Sequence, residues 1–215
     1  MVLANVGPDD EAEFNRWYDR EHMRERVEVP GFISAQRYVS DGLSRWKYLA
    51  LYETEGVSTF RSSVYRQALA NQSVWSKQIL TRFRDPQRSV AERTCRIGYG
   101  IGATVMVTRL RPRAECAEAL RRSLSEDLLP RMASQAGVIE ASLVECDPVL
   151  SKPVAEYPKG GLDVVKPDDW FVLVGGSGAE QTALDVADAL PEALVETVER
   201  IGSFSLLWDL HRSDL

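Results

Sequence analysis

The 215-residue sequence has few of the residues that staple, ligate or anchor. Its three cysteines, Cys95, Cys116 and Cys146, are odd in number, widely spaced and form no C-x-x-C. They define neither a disulfide framework nor a zinc site and read as packing thiols of a reducing compartment. Histidine is scarcer still, with only His22 and His211, so a metal site would need carboxylates as well and none is expected. No apolar run approaches the roughly 20 residues that cross a bilayer. Met1-Val2-Leu3-Ala4-Asn5 lacks the basic-then-apolar pattern of a secretory signal. A cytoplasmic protein without membrane contact is expected. Net positive charge is missing too: 26 Lys and Arg against 32 Asp and Glu give −6. Phosphate-backbone binding needs a basic footprint, so nucleic acid is not an expected partner. What is present, 44% hydrophobic and 27% charged residues with 14 Gly and 10 Pro, is the composition of a globular chain and not a disordered one.

The order of elements is the most informative feature. Met1–Val6 reads as a strand, Gly7-Pro8-Asp9-Asp10 as a turn and acidic helix start, and Glu11–Val27 as a helix stopped by Pro30-Gly31. Phe32–Ser40 and Trp46–Thr54 read as strands joined at Asp41-Gly42. Val57–Phe83 reads as helix broken near Asn71-Gln72-Ser73, and Val90–Tyr99 as the closing strand. Beyond Gly100 the order returns: strand Ala103–Leu110, helix Arg113–Ser134, strands Val138–Cys146 and Trp170–Val174, helix Ala179–Arg200, strand Phe204–His211. A shift of 106 residues sets Pro30-Gly31-Phe32 on Ala136-Gly137-Val138, with a register that drifts by a residue or two at the helix start.

Each half is therefore a β-α-β-β-α-β unit, the ferredoxin-like split motif. The expected fold is α+β: two tandem units, residues 1–100 and 101–215, whose sheets face each other or close into a barrel with helices outside. The charge divides at the same boundary, +2 before it and −8 after it. Gly98-Tyr99-Gly100-Ile101-Gly102 lies between two strands and opens no helix, so it reads as a hinge and not a dinucleotide fingerprint. Gly175-Gly176-Ser177-Gly178 precedes a helix, but no Lys-Ser/Thr follows and Glu180 would repel a phosphate. It reads as an ordinary turn. Residues 147–169, rich in proline, form an insertion that is either a lid or partner contact or a tolerated surface loop.

The strongest local signal lies in the first helix. Phe14, Trp17, Tyr18, Glu21, His22 and Glu25 share one helical face, aromatic at first and ionisable at its end. The second helix has Leu120, Ser123, Leu124, Asp127, Leu128 and Arg131 at the shifted positions, so the histidine and the aromatics belong to the first copy alone. Two roles fit His22, and the residues leave both open. It is either a satisfied structural histidine or a general acid–base held by Glu21 or Glu25. His211 reads as exposed.

The run Trp17-Tyr18-Asp19-Arg20-Glu21-His22-Met23-Arg24-Glu25-Arg26, followed by Val29-Pro30-Gly31-Phe32 and Arg37-Tyr38, resembles the EthD-like branch of the dimeric α+β-barrel superfamily. The match covers about the first 40 residues, with Lys47–Glu53 fitting the third element. The resemblance implies a β-barrel with helices outside, formed here within one chain or completed by a second copy, and a small, often aromatic organic ligand. Within that frame Trp17, Tyr18, Gln36, Tyr38, Tyr48 and Tyr52 are the pocket candidates. Strand alternation and the expectation that helices cover the more aliphatic face select the last four.

The leading expectation is an enzyme of isomerase, cyclase or lyase type that needs no cofactor. His22, with Glu21 or Glu25, would move protons on a hydrophobic, aromatic or carbonyl-bearing metabolite. The alternatives are a cofactor-free monooxygenase, a haem enzyme with His22 as axial ligand, and a non-catalytic binding or assembly module whose barrel is filled by side chains.

Overall fold

The structure, a computed structural model, describes residues 1–151, 166, 169–178 and 186–215. Its first half runs β1 (Val2–Val6), α1 (residues 11–27), β2 (Phe32–Ser40), β3 (Tyr48–Thr54), α2 (Ser63–Ala70), α3 (Val74–Leu80) and β4 (Phe83–Arg88). The second runs β5 (Ala91–Gly98), β6 (Thr104–Pro112), α4 (residues 117–133), β7 (Val138–Cys146), β8 (Trp170–Gly176), α5 (Val186–Ala189) and β9 (Val195–His211). Local chemistry sets several of these boundaries. Glu11 and Glu13 in the first turn of α1 oppose its dipole. Ser62 and Ser73 accept hydrogen bonds from the Tyr65 and Ser76 amides, capping α2 and α3.

The chain is α+β, and its nine strands form one antiparallel sheet in the order β4-β1-β3-β2-β9-β6-β8-β7-β5. Within each half the order is fourth-first-third-second, as a ferredoxin-like unit requires. β9 joins the halves: its beginning pairs with β6 and its end with β2. β4 and β5 do the same at the other seam, pairing with β1 and β7. Only Ser89 and Val90 separate those two strands, so the outermost members of the sheet are covalently consecutive.

Helices pack on the outside. Phe14, Trp17, Tyr18, Met23 and Val27 of α1 are buried against Val2, Ala4, Ala35, Tyr48 and Ala50. Leu120, Leu124, Leu128, Leu129 and Met132 of α4 pack in the same way on Met106, Leu143 and Val172. The opposite sheet faces meet in a third cluster that holds Leu3, Tyr38 and Leu49 from one half and Val105, Val107 and Phe171 from the other.

The two halves keep step at a constant offset. α1 consists of Glu11–Trp17, a π turn at Tyr18–His22, and Met23–Val27; α4 consists of Ala117–Ser123, a π turn at Leu124–Leu128, and Leu129–Ala133. Each boundary lies 106 residues after its counterpart. β2 and β7, and the positive-φ glycines Gly31 and Gly137 before them, obey the same offset. The drift expected at the helix start is absent.

Three expectations are corrected. The strand that completes the first half is β4, not Val90–Tyr99. β4 carries Pro86 and the positive-φ Asp85, and a register shift between Leu3 and Asn5 accommodates the irregularity. The 90–99 segment is a strand, but it pairs with the second half. Residues 195–200 are strand and not helix, because Pro191 interrupts the pattern and Val195, Thr197 and Val198 favour an extended backbone. Residues 179–185 of that expected helix, and 152–165 and 167–168 of the expected insertion, lie outside the described residues.

Gly31 ends the α1–β2 corner at φ +91°, and a Cβ there would sit 2.6 Å from Thr59 Oγ1. Backbone strain and overlap act together, so Gly31→Ala is expected to cost about 2 kcal/mol. A urea melt checks this, and an unchanged midpoint would contradict it.

Candidate functional site

A cavity of about 380 Å³ lies between the two halves, within the range of small-molecule sites. The barrel is therefore not filled by side chains. Gln36, Tyr38, Leu51 and Glu53 line it from the first half, and Val105, Val144, Phe171 and Leu173 from the second. Arg93 and Arg96 of β5 and Glu140 of β7 stand along its rim. Glu53 pairs with Arg93, Arg93 approaches Glu140 at 3.8 Å, and Glu140 pairs with Arg96. This run of alternating charge links β3 to the β5–β7 seam. Gln36 donates to Ser34 Oγ at 2.8 Å. Burial, and then the nearby Glu140 and Asp209 charges, push the Tyr38 phenol well above its ordinary pKa. Its hydroxyl remains a proton donor throughout the physiological range.

Of the pocket candidates, Gln36, Tyr38 and Tyr52 line this cavity, and Trp17, Tyr18 and Tyr48 do not. The expected β3 face was the wrong one. β2 and β3 pair with Tyr38 opposite Leu49 and Gln36 opposite Leu51, so even positions of one strand share a face with odd positions of the other. The inner face of β3 is Leu49, Leu51 and Glu53. Tyr48 points to the helices, where its hydroxyl donates to Glu11 at 2.5 Å and burial raises its pKa. Tyr52 packs with the helix-side core but reaches the cavity at the strand end. The helix-side face is polar because it holds Arg37, which is 2% exposed. That guanidinium donates to Asp19 at 3.1 Å and Asn15 at 2.5 Å and lies 4.3 Å from the Tyr18 ring centre.

His22 faces a different, smaller space. Its ring stacks on Trp17 at 4.1 Å and meets Tyr18 and Tyr52 edge-on. Trp17 Nε1 donates to Ser76 Oγ at 3.0 Å, so the indole is fixed from the other side. Glu21 and Glu25 do not hold the imidazole. Glu21 accepts from Ser73 and Ser76 at 2.5 and 3.0 Å, and Glu25 from Ser76 at 3.4 Å. The π turn accounts for this, because it changes the angular spacing from which the shared helical face was drawn. Burial raises the Glu25 pKa. A porphyrin ligated by His22 does not fit, since the space at the ring is about 60 Å³.

Burial first, then the Arg26 and Arg37 charges, depress the His22 pKa well below 6.5. The unfolded chain therefore takes up a proton near pH 6.5 that the folded chain refuses, and this contribution destabilises the fold as pH falls below 6.5. Thermal melts are expected to show a lower Tm on going from pH 7 to pH 5.5, with a shallower slope in His22→Gln. Equal slopes in the two proteins would contradict the assignment. The comparison is needed because Glu25, with its raised pKa, contributes in the opposite direction.

Sequence reasoning missed Arg93, Arg96, Glu53 and Glu140. Their signal was faint: the polar run of β5 (AERTCRIG) reads as an exposed edge until its pairing with β7 is known.

No protein-family model matches the chain, and no curated protein matches it in sequence. Solved structures do match in fold. A protein assigned as a monooxygenase from Lactobacillus acidophilus NCFM aligns with a TM-score of 0.54 at 10% identity, over 98% of this chain and 94% of its own. An anthrone oxidase-like protein aligns at 0.61 and 8% identity, over 98% and 91%. A further protein assigned as a monooxygenase, from Fusobacterium nucleatum, aligns at 0.52 and 7%, over 98% and 92%. At these identities the likeness is one of fold, an α+β barrel spanning nearly the whole length of each chain.

Proposed function

We propose that the chain is a small-molecule oxygenase acting on a flat aromatic substrate, an anthrone or related phenol, held between its two halves. The observation that carries this reading is the cavity of about 380 Å³, lined by Tyr38 together with Leu51, Val105, Val144 and Leu173 and by the arginines Arg93 and Arg96. Tyr38 donates to the ring carbonyl. Arg93 and Arg96 offset the negative charge that develops as the adjacent CH₂ loses a proton. Of the carboxylates lining this cavity, Glu53, Glu55, Glu92 and Glu140, the two paired with those arginines, Glu53 and Glu140, are the proposed acceptors of that proton. The carbanion then reduces dioxygen directly: CH₂ and O₂ become C=O and H₂O, with no external reductant. His22 has no part in these steps. The fold likeness to an anthrone oxidase-like protein supports the substrate class.

The same donor and carboxylates suit proton transfer between carbons, so an isomerase or cyclase reading stands beside this one. Incubation with 1,8-dihydroxyanthrone separates them. Oxygen uptake above the protein-free rate, with no added flavin or metal, is expected. Turnover that is equal with and without oxygen would transfer the assignment to the isomerase class, and neither uptake nor binding would overturn both. We further read the constant 106-residue offset as the trace of a tandem duplication within the EthD-like branch, with chemistry kept on a cavity that both copies wall.

A further inference from the structure

Next to the main cavity lies a second, of about 60 Å³, between α1, α2 and the outer face of the first half's strands. Its charge is one-sided. Arg26 and Arg88 line it together with the neutral His22 ring and aromatic walls from Phe32, Tyr52 and Tyr65, and among the described residues no Asp or Glu contributes to the lining. Arg26 is 6% exposed, and its ion pair is a loose one, 3.7 Å from Glu25. Arg88 gives its protons to neutral oxygens, the Leu150 carbonyl at 2.7 Å and the Tyr65 hydroxyl at 3.4 Å. Buried polar atoms among the lining residues without a hydrogen-bond partner include His22 Nδ1 and Arg26 Nε. Buried guanidinium groups are costly without a counter-charge, and unpaired buried nitrogens add to that cost.

We infer that this cavity binds a carboxylate group, which accepts from Arg26 Nε and His22 Nδ1 and balances Arg26 and Arg88. The volume agrees: about 60 Å³ is well under the roughly 150 Å³ of a cavity that admits benzene and suits a small group such as a carboxylate. Tyr52, Ser89 and Val90 line both cavities. The carboxylate thus has two sources, a free small acid or the end of a ligand whose body occupies the main cavity. The second source rests on the function proposed above; the first does not.

The test uses the full ¹⁵N-labelled chain and the imidazole nitrogens of His22, with those of His211 as the internal control. Acetate is expected to shift the His22 signals saturably, and acetamide, its uncharged counterpart, is not. Arg26→Met is expected to weaken acetate at least about tenfold, the loss of one charge-assisted hydrogen bond, and Arg26→Lys to recover part of it. Should Arg26→Met not fold, Arg88→Met serves in its place. A response to 4,5-dihydroxyanthraquinone-2-carboxylate, but to neither acetate nor 1,8-dihydroxyanthraquinone, would place the carboxylate on a larger ligand and support the inference. Equal shifts with acetate and acetamide would overturn it, as would no His22 response to either carboxylate or full binding by the folded arginine variants. None of these readouts depends on turnover, so failure of the oxygenase reading leaves the acetate result intact.

Discussion

Tyr38→Phe is expected to lower oxygen uptake on 1,8-dihydroxyanthrone about 100-fold with little change in melting temperature. The phenol is the one proton donor on the inner face of β2 that burial keeps protonated, since its pKa is pushed far above neutrality. A preorganised donor aimed at a developing oxyanion contributes on the order of 10²–10³ in rate, because the site spends no reorganisation energy when the charge forms. Phenylalanine keeps the ring that packs with Leu49 and Phe204 in the central cluster, so the loss is one of chemistry and not of folding. The effect should fall on kcat more than on KM, as the bond strengthens only when the carbonyl gains charge. An unchanged kcat would remove Tyr38 from the mechanism.

Asp19→Ala is expected to cost about 3 kcal/mol, or roughly 6–12 °C in melting temperature. Asp19 is itself half-exposed, but it accepts from two groups that depend on it: Arg37 at 3.1 Å and Trp208 Nε1 at 2.9 Å. Without it the buried Arg37 charge keeps only Asn15 and the faces of Tyr18, Tyr48 and Phe14. An uncompensated buried guanidinium is worse than none, so adding Arg37→Met to the same chain should restore part of the loss. A single-variant cost below about 1 kcal/mol, or a double variant worse than the single, would refute this account.

Those two residues also show how far the sequence could be read. The alternation in β2 placed Gln36 and Tyr38 on the inner face correctly, because period-2 patterning needs only the strand itself. The face of β3 needs its register against β2, which depends on the odd or even length of the 41–47 connection. Composition also misled there, since the covered face holds tyrosines and an arginine and the inner face holds leucines. The helix 11–27 and strands 32–40 and 138–146 were legible from periodicity bounded by Pro30-Gly31 and Gly137. The π turn was not, and it separated His22 from Glu21 and Glu25. β4 was hidden by Pro86, and β9 by the helical reading of residues 186–189 carried past Pro191. The rim charges were invisible because three strands from both halves bring them together.

The long strand β9 has a consequence for how the chain matures. Its first residues complete the second half, and its last, Phe204–His211, cover the open edge of β2. While the chain is being made, the first half therefore emerges with an unpaired β2 edge that stays open until β9 arrives. Contacts between Ser34 and His211 span nearly the whole chain, which favours slow closure and gives chaperones a defined interval in which to act. A chain stopped before residue 195 would carry eight of the nine strands and leave the edges of β2 and β6 both unpaired.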